Sequence, residues 1–157
     1  MEQTIKPTLE ISEALRESTD KILQFKGRSR RSEFWWTMAV VYFVNLVFPP
    51  IGFVLTIATI PLTFRRLHDT GRSGWWWGIG FILRLVLYGN IIYDFIRFFP
   101  SGINDFDVKM LLIKYLAILF VILLYSLVLM VMLCVDSEPF ANKYGESPKY
   151  VGNDRRR

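Results

Sequence analysis

Arginines beside carboxylates are the residues of this chain whose types and spacing could do chemistry. They occur in two stretches, FKGRSRRSEFWW over 25–36 and TFRRLHDTGRSGWWWG over 63–78. An arginine presents forked N–H donors that match phosphate or carboxylate, so both stretches predict a site for an anion. The predicted anion-binding face consists of Arg28, Arg30, Arg31, Arg65, Arg66, His68, Arg72 and Lys143.

The same stretches also support a structural interpretation. In that interpretation Glu33 and Asp69 pair with arginines and lock helix ends together, while the remaining arginines contact lipid phosphates. In the functional interpretation, the cluster binds a lipid head group, a nucleotide or an acidic segment of a partner. The residues alone leave both open.

Metal and acid–base chemistry have little support in the sequence. His68 precedes Asp69, but it is the only histidine, and Cys134 is the only cysteine. A metal site would therefore need mostly carboxylate ligands. The chain has no glycine-rich phosphate loop before a helix, no serine nucleophile elbow and no HExxH motif. We therefore expect no catalytic residue, no metal and no cofactor, and we expect that the chain is not an enzyme.

The apolar runs between these stretches predict an all-α integral membrane protein. The chain has 157 residues, of which 52% are hydrophobic, and its mean hydropathy is positive. A soluble domain of this length could not bury four long apolar runs in its small core, whereas a bilayer solvates them directly. The predicted transmembrane helices cover about 30–48, 50–67, 74–97 and 109–135, because Pro49 and Pro50 end the first helix. The alternative for 34–64 is one kinked helix.

The predicted domain organisation has three parts. Residues 1–25 form a cytoplasmic segment with a short helix between Leu9 and Phe25, residues 26–150 form the four-helix membrane domain, and residues 151–157 form a basic tail. The short helix is either solvated or a membrane-surface anchor.

The distribution of positive charge predicts the orientation. The net charge is +5, and 15 of the 19 lysines and arginines lie before the first helix, in the 65–72 region or after the fourth helix. Four spans place these 15 on one side, and the positive-inside rule then puts both termini in the cytoplasm. Basic residues beside apolar runs indicate contacts with anionic lipid, and we expect no nucleic-acid partner.

The third predicted helix carries an unusual charge. Arg84 lies near its middle, where insertion scales put the cost on the order of 2.5–3.5 kcal/mol. Asn90 and Asp94 follow on the same helix. One functional alternative is therefore a small transporter or channel subunit with a polar path of Arg84, Asn90 and Asp94. Four helices make a narrow bundle, so this alternative favours a homo-oligomer or a membrane protein partner.

Three sequence blocks together resemble a known family. The first two are 25–36 and 65–76, and the third contains Asp136, Ser137, Pro139, Asn142, Lys143, Tyr144, Gly145, Pro148 and Lys149. The chain resembles the bacterial inner-membrane family catalogued as domain of unknown function 805, the YhaH-type proteins. It departs from the family pattern in a longer 85–109 connection and in Phe140 and Ala141, where glycine and a small residue are more usual.

The resemblance implies a small multi-pass protein of the bacterial cytoplasmic (inner) membrane, with no established activity. Together with the charge pattern, it leads us to expect a non-enzymatic membrane module. We expect its basic cytoplasmic face to bind anionic lipid or a protein partner.

Overall fold

The computed structural model describes residues 4–101 and 108–151, without the side chains of 98–101. In this part of the chain the structure is mostly helical. The elements are β1 (Thr4–Ile5), α1 (Ile11–Asp20), α2 (Arg31–Val47), α3 (Pro49–Ala58), α4 (Ile60–Asp69), α5 (Trp75–Ser101), α6 (Val108–Cys134) and β2 (Tyr150–Val151). Most of the predicted tail, 152–157, lies outside the described residues.

The chain forms two compact units. The first contains Met1–Trp75 together with Met132–Arg157, and the second contains Trp76–Val131. The first unit holds nearly all of the buried side chains, including Phe34, Leu62 and Leu67. The second unit consists of most of α5 and α6, whose apolar side chains are largely exposed to the surroundings.

Helix α1 packs on α2 in the first unit. Glu10 and Glu13 form a capping box at its N-terminus, which satisfies backbone N–H groups that have no partner within the helix. Ala14 and Ser18 are buried, and the Ser18 and Thr37 hydroxyl groups are hydrogen-bonded at 2.8 Å. The short helix predicted between Leu9 and Phe25 is therefore shorter than expected and has one face packed on protein.

Helices α2 and α3 form a tight hairpin. Pro49 and Pro50 occupy the first turn of α3, where their missing N–H groups cost nothing. A Cβ added to Gly52 would lie 2.3 Å from the Asn45 Cα, so only glycine permits this approach. The Asn45 amide donates to the Gly52 carbonyl at 3.1 Å and to the Thr56 hydroxyl at 3.0 Å. These bonds hold the two helices together.

The predicted second helix, 50–67, is not continuous. It is two helices, α3 and α4, separated at Thr59 and bent by 42°. Pro61 lies in the first turn of α4 and has no N–H to donate to the preceding turn. The proline therefore allows a new helix to start and breaks the old one.

Within the described residues, two helices are long and apolar enough to cross a membrane. They are Trp75–Arg97 within α5 and the whole of α6, Val108–Cys134. The bent pair α3–α4 is a third candidate. Helix α2 has 17 residues, which is about 26 Å at 1.5 Å per residue. Helix α5 continues to Ser101, beyond the predicted end at 97.

The described ends of the chain pair with each other. Strands β1 and β2 are antiparallel, with Thr4 opposite Val151 and Ile5 opposite Tyr150. The Lys6 N–H also donates to the Lys149 carbonyl at 3.0 Å. The pairing brings the residues before α1 next to those after α6.

Candidate functional site

The turn after α4 positions the central carboxylate of the first unit. Gly71 has φ +72°, the left-handed conformation that closes a helix. Its N–H donates to the His68 carbonyl, and the Arg72 N–H donates to the Leu67 carbonyl at 2.9 Å. This is a Schellman motif, and it ends α4 directly after Asp69. The sequence of the turn therefore fixes the point at which α4 ends, and it makes Asp69 the last residue of that helix.

Asp69 lies at the centre of a cluster of buried ionic groups. Its side chain is fully buried and accepts from Arg28 Nε at 2.9 Å and from Arg66 Nη1 at 2.6 Å. The Ser137 hydroxyl also donates to it. Both carboxylate oxygens therefore bind donors, which compensates a buried charge.

Arg28 connects the end of α4 to the segment after α6. Its Nη2 donates to the Glu138 carbonyl at 2.6 Å, and its Nη1 donates to the Phe140 carbonyl at 2.8 Å and the Gly145 carbonyl at 3.2 Å. All three nitrogens of its guanidinium group have partners once the Asp69 contacts are included. The Arg28 side chain therefore holds the end of α4 and the segment after α6 together.

Arg66 satisfies carbonyl groups at the end of α6. Its Nε donates to the Leu133 carbonyl at 3.0 Å, and its Nη2 donates to the Val135 carbonyl. The last carbonyls of a helix lack partners within it and carry partial negative charge, so a cation is favourable there. Arg66 and Asp69 thus join the ends of α4 and α6.

A second buried pair joins α2 to α4. Glu33 accepts from the Ser29 hydroxyl at 2.6 Å and from Arg65 Nη2 at 3.3 Å. The Ser29 N–H donates to the Arg65 carbonyl at 3.1 Å. Both charged side chains of the pair are 1% exposed. We call the whole set the buried network: Arg28, Ser29, Glu33, Arg65, Arg66, Asp69 and Ser137.

The buried network changes the predicted anion-binding face. Arg28, Arg65 and Arg66 were expected on that face, but all three are buried. Their guanidinium groups bind carboxylates and carbonyls of the chain itself, so an exposed basic face cannot include them. Glu33 and Asp69, expected as pairing residues, are the carboxylates to which these arginines donate.

The other two arginines of the first stretch line an open cavity at the start of α2. Its volume is about 550 Å³. We call it the basic groove, and it is lined by Lys6, Thr8, Arg30, Arg31, Ser32, Trp35, Trp36, Ala39, Asp136 and Lys149. Four of these side chains are cationic and one is anionic. The groove therefore combines an excess of positive charge with two indole rings.

Backbone and ion-pair contacts hold the groove in shape. Arg30 Nη1 donates to the Pro7 carbonyl at 2.8 Å, and Arg31 Nη1 donates to the Cys134 carbonyl at 3.2 Å. Arg31 also lies 3.8 Å from Asp136, and Lys149 donates to the same carboxylate. These contacts use few of the available N–H donors of the cations, so donors remain for an anion.

The contact between Asp136 and Lys149 shifts the pKa of both groups. The hydrogen bond to Asp136 raises the pKa of Lys149. Partial burial alone would raise the pKa of Asp136, but the bonds from Lys149 and from the Ser137 N–H lower it below its ordinary value. Both groups are therefore charged near neutral pH.

The remaining residues of the predicted face lie apart from the groove. His68 stacks on Tyr144, with ring centroids 3.7 Å apart, and its Nδ1 lies 3.2 Å from the Gly27 carbonyl. Lys143 is exposed, with its Nζ 5.0 Å from the Tyr144 ring centroid. Arg72 is partly exposed. None of the three lines the basic groove.

The residues of the alternative polar path belong to the second unit. Arg84 donates to the Gly80 carbonyl at 2.9 Å and to the Ser126 hydroxyl at 3.2 Å. Asp94 accepts from Lys114 at 2.8 Å. Asn90 donates to the Val86 carbonyl of its own helix at 2.8 Å. The bonds from Arg84 and Asp94 reach α6, so they link the two helices.

Sequence reasoning missed part of the groove. Lys6 and Lys149 are far apart in the chain, and only the β1–β2 pairing brings them together. Trp35 and Trp36 end the first arginine-rich stretch, but the sequence did not predict them as lining residues. Among the described residues no group of three or more His, Cys, Asp or Glu could hold a metal ion.

Comparisons with known proteins agree with the membrane character of the chain. Inner membrane protein YhaI of Escherichia coli (strain K12) is 26% identical over 144 residues, covering 82% of this chain and 89% of the relative. Inner membrane protein YhaH of the same strain is 33% identical over 75 residues, covering 33% of this chain and 59% of the relative. No solved structure matches the chain.

A family model matches residues 44–146, which is more than half of the chain. That range includes the last turn of α2, the whole of α3, α4 with its closing turn, α5, α6 and the segment that Arg28 binds. The chain therefore belongs to the family described as protein of unknown function (DUF805).

Proposed function

We propose that this protein is a non-enzymatic module of the inner membrane that binds the phosphate of an anionic lipid in its basic groove. The observation that carries the proposal is the lining of the groove. Of the residues that the structure describes, Lys6, Arg30, Arg31 and Lys149 are its cationic lining residues and Asp136 is the one acidic lining residue. Arginine and lysine are the side chains that bind phosphate, as a fork and as a point charge respectively.

The two tryptophans of the groove support a lipid as the ligand. Trp35 and Trp36 are 37% and 43% exposed, although they are large and aromatic. Indole rings favour the boundary between hydrocarbon and water. Cations beside such rings can bind a head group while the acyl chains enter the bilayer.

The proposed topology has four membrane segments, α2, α3–α4, α5 and α6, with both termini in the cytoplasm. The β1–β2 pairing supports an even number of crossings, because Thr4 and Val151 could not pair across a bilayer. The network supports it too, since the start of α2 and the ends of α4 and α6 share hydrogen bonds. The number of crossings is also even if the α2–α3 hairpin enters the bilayer and turns back without crossing it. The positive-inside rule then selects the cytoplasmic side.

A transporter or channel has less support. It would need Arg84, Asn90 and Asp94 to face a common path. Arg84 and Asp94 instead bind Ser126 and Lys114 of α6, and Asn90 binds its own helix. The bonds of Arg84 and Asp94 thus link α5 to α6, and the bond of Asn90 stays within α5.

Lipid retention after gentle extraction tests the proposal. The full-length protein would be analysed by native mass spectrometry after incubation with phosphatidylglycerol or phosphatidylcholine. We expect preferential retention of phosphatidylglycerol and a loss of that preference in Lys6→Gln/Arg30→Gln. Lys143→Gln is the matched control, because Lys143 is a basic residue outside the groove.

Two results would contradict the proposal. One is equal retention of the two lipids by the unmodified protein. The other is the same loss of preference in Lys143→Gln as in the groove variant, which would indicate a diffuse charge effect. Binding of an acidic peptide without any lipid preference would make a protein the partner.

A further inference from the structure

A second cavity lies between the first four helices. Its volume is about 120 Å³. Residues of all four helices line it: Leu15, Ser18, Thr19, Ile22, Thr37, Val40, Val41, Leu55, Ala58, Thr59, Leu62 and Arg65. Thr19 and Ile22 are exposed, so the cavity opens near the C-terminal end of α1. It shares no lining residue with the basic groove.

The chemistry of this cavity is mostly apolar, with one cation. Its hydroxyl groups already have partners: Ser18 and Thr37 bond to each other, and Thr59 donates to the Thr56 carbonyl. Arg65 is different. Its side chain is 1% exposed, and its Nε and Nη1 have no hydrogen-bond partner among the described residues. Buried N–H donors without an acceptor are unfavourable, so an acceptor in the cavity would stabilise them.

The cationic character of Arg65 favours a charged acceptor. Its one buried carboxylate partner, Glu33, is reached by Nη2 alone, at 3.3 Å, and the other Glu33 oxygen accepts from the Ser29 hydroxyl. Glu33 therefore leaves Nε and Nη1 of Arg65 without an acceptor. Hydrogen bonds from a guanidinium group to a carboxylate are shorter and stronger than those to a neutral acceptor, so a ligand carboxylate would satisfy these donors best.

We propose that this cavity binds a monocarboxylate with an apolar chain, whose carboxylate accepts hydrogen bonds from Arg65. The apolar chain of the ligand would lie among the side chains of Leu15, Val40, Val41, Leu55 and Leu62. The volume suits a ligand of about six non-hydrogen atoms inside the cavity, because engineered apolar cavities of about 150 Å³ hold benzene. The exposed opening lets a longer chain extend outward. The site is distinct from the basic groove and does not rest on the function proposed for it.

Thermal unfolding of the full-length protein in a neutral detergent tests the proposal, with sodium hexanoate as the probe. We expect hexanoate to raise the Tm in a saturable manner, as a ligand of the folded state does. Matched probes of the same chain length, 1-hexanol and hexylammonium, control for partition into the micelle. Neither supplies a carboxylate, so neither is expected to produce a saturable shift.

Two variants assign the effect to the cavity. Arg65→Gln removes the charge and should weaken the apparent affinity for hexanoate about tenfold or more, because charge-assisted hydrogen bonds are lost. Ala58→Leu fills the cavity and leaves Arg65 and Glu33 in place, so it keeps the test decisive if Arg65→Gln does not fold. We expect no hexanoate shift in Ala58→Leu.

Three outcomes would overturn the proposal. The first is a hexanol shift equal to that of hexanoate, which would indicate an apolar effect alone. The second is an unchanged hexanoate shift in Ala58→Leu. The third is a shift that survives in Ala58→Leu but disappears in Lys6→Gln/Arg30→Gln, which would move the acid to the basic groove.

Discussion

Arg28 and Arg30 are two residues apart, yet they belong to two regions with opposite properties. Arg28 is in the buried network, where all its guanidinium nitrogens bind acceptors of the chain. Arg30 lines the basic groove, where its neighbours are other cations and two tryptophans. The difference teaches that residue type and spacing do not decide the role of an arginine. The helix ends that gather around it decide whether it stabilises the fold or faces a ligand.

The same comparison applies to the two aspartates. Asp69 is fully buried and binds Arg28 and Arg66, whereas Asp136 is 45% exposed and pairs with Arg31 and Lys149. Removing a buried partner leaves an uncompensated charge, while an exposed pair is screened by water. We therefore expect matched substitutions to cost more stability in the buried network than beside the basic groove.

The largest effect is expected for Asp69→Asn. The substitution keeps the shape of the side chain but leaves Arg28 and Arg66 without their shared carboxylate. We expect it to lower the free energy of unfolding by about 3–5 kcal/mol, the usual range for breaking a buried pair. Denaturant unfolding in detergent would measure this. A loss as small as that of Asp136→Asn would contradict the assignment of Asp69 to the buried network.

The next effect is the coupling between Arg66 and Asp69. Because the two side chains share a contact at 2.6 Å, Arg66→Met/Asp69→Asn should cost less than the sum of the two single variants. We expect a coupling energy of about 0.5–3 kcal/mol. The cycle of Arg31→Met and Asp136→Asn is the exposed counterpart, with a coupling below about 1 kcal/mol. Additive losses at Arg66 and Asp69 would remove the proposed pairing.

Gly71→Ala tests the turn that contacts Glu138 of the segment after α6. A Cβ at this position would lie 2.2 Å from the Glu138 Oε1, and its φ is +72°. The left-handed conformation alone costs an L-residue about 1–2 kcal/mol. We therefore expect a stability loss of that size. Gly89→Ala is the control, since no atom lies within 4 Å of its added Cβ. Equal changes in the free energy of unfolding for the two variants would show that the turn is not constrained.

The smallest effect is expected for Asp136→Asn, and it should depend on pH. The pKa of Asp136 is lowered in the folded state, so the charged form contributes stability above the unfolded pKa. That contribution is lost as the pH falls through the folded value. The Tm difference between wild type and Asp136→Asn should therefore shrink from about pH 6 to pH 3, the range in which aspartate titrates. A constant difference would mean that the carboxylate charge is not involved.

Local features of the fold were predictable from the sequence. The proline pair at Pro49 and Pro50 ends α2 because prolines begin helices readily and continue them poorly. The apolar runs from Trp75 and from Met110 mark α5 and α6 through length and composition alone. Pro61 is a local signal for the break at Thr59, and a single helix over 50–67 is inconsistent with that signal.

The division between network and groove was not predictable in this way. Arg28 precedes α2, so helical periodicity says nothing about which side it faces. Lys6 and Lys149 join the groove through a strand pairing between distant segments, which depends on tertiary packing rather than local propensity. The carbonyls that Arg66 binds belong to α6, a helix that begins about forty residues later in the chain.

The proposed topology requires that strands β1 and β2 pair on the cytoplasmic side of the membrane. Thr4→Cys and Val151→Cys in a Cys134→Ser background test it directly, because opposite residues of antiparallel strands are within disulfide distance. We predict that oxidation links the two cysteines in inverted membrane vesicles. We also predict that a membrane-impermeant maleimide labels them, when reduced, in inverted vesicles but not in intact spheroplasts. Labelling of the two positions from opposite sides, or no cross-link, would contradict the account.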